Sequence, residues 1–203
     1  MNTVLRTPTL ELVKAACEKF DQDYLIVEQA LKELFNQYPG NNDLRHVLLK
    51  VVALNSLYSV QIFVYSTTIP DVEDVARHIY RNAQSIAIPP AVGSPEIVDS
   101  MARVTIPKKA DRNYFSFATK YCSWHNPESY PIYDSRVDKY LWSLQKQDHF
   151  AKTEFVHADL WDYPNFLEVM VFFRNFYNLG AFTFKEIDKF LWSEDGTPSP
   201  VSN

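Results

Sequence analysis

The sequence predicts an all-α protein, and three observations lead there. Apolar residues recur at the helical period along most of the chain, glycine occupies only four of 203 positions, and cap and breaker residues fall between the periodic stretches. Sandwiches and barrels need many tight turns and consume glycine, so its scarcity argues against them. Hydrophobic residues make up 46% of the chain and aromatic residues 15%, enough for a sizeable core and too much for a disordered chain. The expected organisation is a single compact helical domain over residues 1–193, with room for two helical lobes around 105–134, and a flexible tail over 194–203.

Leu10, Val13, Ala16 and Phe20 define a first helix near 9–20, and Leu25, Val27, Ala30, Leu31, Leu34 and Phe35 a second over 24–35. Tyr38-Pro39-Gly40 breaks that helix, and the cap-rich Asn41-Asn42-Asp43 opens the next. Its stripe of Leu44, Val47, Leu48, Val51, Leu54, Tyr58 and Ile62 predicts a long buried helix to about residue 63. Pro70 suits the first turn of a further helix with Val72, Val75, Ala76 and Ile79 inward. Ile88-Pro89-Pro90 ends that region. Ser94-Pro95-Glu96 starts a short helix through Ala102. A loop is expected over 105–112, a helix over 113–125, a loop over 126–133, and a new helix from Asp134. Residues 147–163 show no period, 165–177 read as a strongly apolar helix capped by Asn178-Leu179-Gly180, and 184–192 as a last amphipathic helix.

Composition narrows the function classes. The formal net charge is −5, whereas nucleic-acid binders are usually basic overall, so binding of that kind needs a local patch. Such a patch exists: Arg103, Lys108, Lys109, Arg112 and Lys120 face a single acid, Asp111, between 103 and 120. Cys17 and Cys122 are expected reduced and packed, in a cytoplasmic protein. No apolar run approaches the roughly 18 residues of a membrane span. The five histidines are scattered and no metal-ligand spacing appears, so neither a metal nor another cofactor is expected. Phosphate-binding and dinucleotide-binding glycine loops are absent from the sequence.

The chemistry-bearing stretch is 113–142, NYFSFATKYCSWHNPESYPIYDSRVDKYLW. Its SFATKYC and YPIYD elements resemble those of a group of uncharacterised bacterial proteins. More remotely the stretch is similar to the helix-hairpin-helix superfamily of base-excision DNA glycosylases. That resemblance implies a glycosylase-like all-α fold, DNA as partner, and excision of a modified or damaged base. It also implies Asp134, at the start of a helix, as the catalytic carboxylate, and Lys120, on the preceding helix, as an amine nucleophile. Lys108, Lys109 and Arg112 would hold phosphates, and Trp124, Tyr130 and Tyr133 are the flat residues that could receive a flipped base. The sequence departs from the superfamily in two places. The stretch 105–112 has no glycine, and Lys120 comes one helical turn later than the superfamily lysine, at whose spacing Ser116 stands.

Each residue also has a purely structural reading: Asp134 as a helix N-cap, Lys120 as a surface or ion-paired lysine, His125 as a helix-end residue, and the aromatics as core. The competing functions are accordingly a non-catalytic nucleic-acid-binding module that keeps the fold, and a protein-interaction module using the aromatic-rich stretch from Phe166 to Trp192.

Overall fold

A computed structural model describes residues 5–58, 62, 70–83, 94–105 and 111–194. Eight α-helices and one pair of two-residue strands form their main regular structure. The contacts divide the chain into two units, one of Met1–Asp23 with Pro131–Asn203, the other of Tyr24–Tyr130. Helix α1, Leu10–Gln37, joins the two helices expected from the sequence. Tyr24, at φ −124° and ψ 16°, leaves helical geometry where they meet.

In the unit of 24–130, α2 runs Leu44–Leu57. Asp43 caps it, accepting the N–H of Arg45 at 2.9 Å. Val47, Val51 and Leu54 are fully buried, as the period predicts. The helix stops about a turn and a half short of the expected end. Tyr58 leaves the helix, and Asn55 Oδ1 accepts the N–H of Ile62, itself buried, at 2.9 Å. Helix α3, Pro70–Arg81, packs on α2 and buries Val72, Val75, Ala76 and Ile79. Asp71 and Glu73 complement its positive end. The expected stop at 88–90 lies outside the described residues.

Helix α4, Pro95–Ala102, packs against α5, Phe115–His125. Between them the sequence predicts only a loop. Two short strands flank it instead: β1, Arg103–Val104, pairs antiparallel with β2, Arg112–Asn113, in the register Arg103 to Asn113 and Val104 to Arg112. The N–H of Tyr114 then donates to Ala102 O at 2.8 Å. These backbone bonds hold Asn113 in the ladder, so α5 begins two residues later than periodicity suggests.

The other unit combines the start of α1 with α6, Ser135–Asp148, α7, Tyr163–Phe176, and α8, Phe184–Glu194. A 3-10 turn, Asp159–Trp161, precedes α7 and rests on it. Val13, Tyr140, Leu141, Leu144, Phe166, Phe173, Ile187 and Phe190 form its fully buried core. After α7, Asn178 takes the left-handed conformation at φ 55°, and Leu179 N–H returns to Arg174 O at 2.8 Å. Asn178 therefore closes the helix within the expected Asn178-Leu179-Gly180 stretch, since asparagine tolerates that region. Glu194, expected in the tail, is helical and pairs with Arg6. Residues 195–203 lie outside the described residues. No helix among the described residues is long and apolar enough to cross a membrane.

Candidate functional site

In the unit of 24–130, α5 places Lys120 one turn after Ser116, and Lys120 Nζ donates to Ser116 Oγ at 2.7 Å. The lysine is buried. Trp124, half-buried, packs with Phe35 and Tyr58 at centroid distances of 5.9 and 6.1 Å. Tyr130 is fully buried and its hydroxyl oxygen accepts the N–H of Ser94 at 3.1 Å. Of the expected phosphate-binding residues, Arg112 sits half-buried in β2. Lys108 and Lys109 lie outside the described residues. Cys122 is a free thiol, fully buried, and burial pushes its pKa up.

The same unit contains a polar cluster that the sequence does not announce. Lys50 lies on the inward stripe of α2 and is fully buried. Its Nζ contacts Tyr38 O at 3.1 Å, Gly40 O at 2.9 Å and Asn41 Oδ1 at 3.0 Å, with His125 Nε2 at 3.3 Å. Tyr121 donates to the same Asn41 oxygen at 2.6 Å. The amine also lies 5.4 Å from the Phe35 ring and 5.2 Å from that of Tyr121. Burial lowers the Lys50 pKa to about 7, against oxygen acceptors that favour the ammonium. Burial, with Lys50 beside it, lowers His125 to about 3. The expected helix-end histidine is thus held neutral against Lys50.

Asp134 belongs to the other unit, where it caps α6. Its Oδ1 accepts the N–H of Arg136 at 2.9 Å and of Val137 at 3.0 Å. The carboxylate is half-buried, and its second oxygen accepts no hydrogen bond from a described residue. Tyr133 is buried against Phe166 and Trp161, at centroid distances of 5.5 and 5.3 Å. Burial pushes its phenol pKa up, and so does the bond it donates to Asp138 Oδ2 at 2.7 Å, while a hydrogen bond with Trp161 acts the other way.

Asp138, one turn into α6, links these residues to a group that sequence reasoning missed. Its side chain is only 9% exposed, and its Oδ1 pairs with Nδ1 of His157, a residue that is 46% exposed. The imidazole packs on Trp142 at 4.4 Å. A carboxylate that accepts a hydrogen bond from Nδ1–H fixes the tautomer and leaves Nε2 as the acceptor. The aperiodic stretch 147–163 delivers His157. Its partner Asp138 stands inside the segment singled out from the sequence, four residues after Asp134, but nothing in the sequence joins it to a histidine 19 positions away. Among the described residues no cluster of histidine, cysteine and carboxylate side chains could hold a metal ion.

A family model described as HI_0787_N, N-terminal domain, matches residues 12–129. A protein of Haemophilus influenzae titled "Uncharacterized protein" is 41% identical over 129 residues, which cover 64% of this chain and 59% of that protein. The match therefore spans about three fifths of that relative's length. No solved structure matches.

Proposed function

The chain belongs to the HI_0787_N family, and we propose that it acts on nucleic acid as a DNA-glycosylase-like enzyme on an all-α fold similar to the helix-hairpin-helix superfamily. The observation that carries the reading is the setting of Asp134. A half-buried carboxylate opens α6 directly after the loop that follows α5, with one oxygen fixed by two backbone N–H groups and the other unengaged among the described residues. Cleaving a glycosidic bond builds positive charge on the sugar, and a fixed anion beside it stabilises that charge. Within the unit of 24–130, an antiparallel strand pair stands between α4 and α5, with Arg112 in β2 as a basic residue for a phosphate contact in its own right. The free thiols Cys17 and Cys122 suit a reducing compartment, the cytoplasm.

The test is base release from duplexes that each carry one lesion, comparing the wild-type chain with Asp134→Asn. Excision by the wild type, reduced by roughly a hundredfold or more in the variant, supports the reading. Release of none of a broad lesion panel counts against it. The burial of Lys120 on Ser116 favours a second reading, a binding module that keeps the fold without the amine chemistry. In that case nucleic-acid affinity survives Asp134→Asn and no turnover accompanies it.

A further inference from the structure

We infer that His157, held by Asp138, is the general base that activates water in the cleavage of a nucleoside-type glycosidic bond, with Trp161 as the flat partner of the departing base. The inference rests on the nucleic-acid reading and adds to it a base, a nucleophile and a stacking surface.

Four observations carry it. Asp138 is buried and engaged on both oxygens, by Tyr133 Oη at 2.7 Å and by His157 Nδ1, so the imidazole is held in one orientation and one tautomer. His157 Nε2 has no hydrogen-bond partner among the described residues, on a side chain that is 46% exposed. A solvent-facing carboxylate–histidine pair whose outer nitrogen is open is the arrangement that lets an imidazole take a proton from water. Trp161 is 57% exposed although it touches buried Tyr133 at 5.3 Å, so its indole is both anchored and open. Asp134 and Asp138 are one turn apart on α6, linked by the bond from Asp138 N–H to Asp134 O at 3.0 Å. One α-helical turn thus carries the proposed charge-stabilising anion and the anchor of the proposed base.

The step balances as follows. The water oxygen bonds to the anomeric carbon of the sugar and gives its proton to His157 Nε2. The bond from that carbon to the base nitrogen breaks, and its electron pair leaves on the base. The base nitrogen then takes a proton from the imidazolium, which returns His157 to its starting form. No covalent enzyme intermediate and no co-reactant other than water is needed. Asp138 and Tyr133 are positioning residues in this scheme, acting through the imidazole.

The full chain is assayed under single-turnover conditions on duplex oligonucleotides carrying uracil, hypoxanthine, 8-oxoguanine or ethenoadenine, and separately on p-nitrophenyl riboside. His157→Ala is expected to slow release by roughly a hundredfold or more. Free imidazole should restore part of the rate, a rescue that a merely structural histidine would not show. Trp161→Ala should weaken binding of the duplex that is processed, read as a raised Kd with the single-turnover rate at saturation less affected. Excision that persists at the wild-type rate in His157→Ala, but is lost in Asp134→Asn, overturns the inference and leaves the nucleic-acid reading standing. Hydrolysis of the riboside that depends on His157, with no lesion excised, keeps the base assignment and overturns DNA as the substrate. Turnover of neither probe overturns both.

Discussion

Lys50 Nζ lies 3.3 Å from His125 Nε2 in an interior where, among the described residues, no carboxylate reaches the lysine. The folded pKa of Lys50 is about 7, below the value of about 10.4 in an unfolded chain. Between those values the unfolded chain holds the extra proton, so stability rises with pH across that window. His125, at about 3 in the fold and about 6.5 unfolded, acts in the same sense between those values. Falling pH therefore destabilises this unit in two stages, each with a slope of at most about 1.4 kcal/mol per pH unit. Urea unfolding from mildly acidic to alkaline pH checks this. In Lys50→Met the rise above neutrality should vanish while the acid-side stage remains. A wild-type midpoint that does not change from neutral to alkaline pH contradicts the prediction.

Asp134 has a structural role separable from any chemistry. Asp134→Ala removes the acceptor of two N–H groups at the start of α6 and should cost about 0.5–2 kcal/mol, whereas Asp134→Asn, itself a good cap, should cost little. Urea unfolding of both variants measures the difference. Equal losses would mean that the carboxylate charge, not the cap, sets the stability at this position.

Tyr133→Phe deletes the hydroxyl that donates to Asp138 Oδ2 at 2.7 Å and leaves a buried carboxylate one donor short. A loss of about 1–3 kcal/mol follows. The His157 ring 15N shifts should also change by NMR, because the carboxylate that holds Nδ1 loses its second donor. Unchanged stability together with unchanged shifts would detach Tyr133 from the dyad.

Lys120 Nζ spends a hydrogen bond on Ser116 Oγ from a buried position, and an amine attacking a sugar needs both a free lone pair and access. Borohydride added during excision is expected to trap no imine on Lys120, read by peptide mass spectrometry. A reduced adduct at that lysine would restore it as the nucleophile.

Local rules make much of the helical framework legible in the sequence. The α3 stripe, the start of α4 after Ser94 and the cap at Asp134 follow from periodicity and cap chemistry, which act over four residues or fewer. The end of α2 is not legible, because a side-chain bond from Asn55 ends a period that continues on paper to Ile62. The strand pair around 103–113 is likewise invisible, since two-residue ladders carry no alternation to read. Of the candidate residues, Asp134 and Lys120 are visible because they bracket a motif. Lys50 reads as an interruption of an apolar stripe, and His157 as one of several scattered histidines. Their partners come from other segments of the chain, and spacing records nothing of that.

The division of the chain at Tyr24 and Tyr130 bears on the order in which the protein assembles. One unit is continuous in sequence, so its core is complete once Tyr130 has emerged from the ribosome. The other must wait for its last helices, and it closes only when they meet the opening turns of α1 across everything synthesised in between. Contacts of such long separation form late and slowly, so the helix bearing Asp134 and Asp138 joins a nascent chain whose other half has already had time to fold.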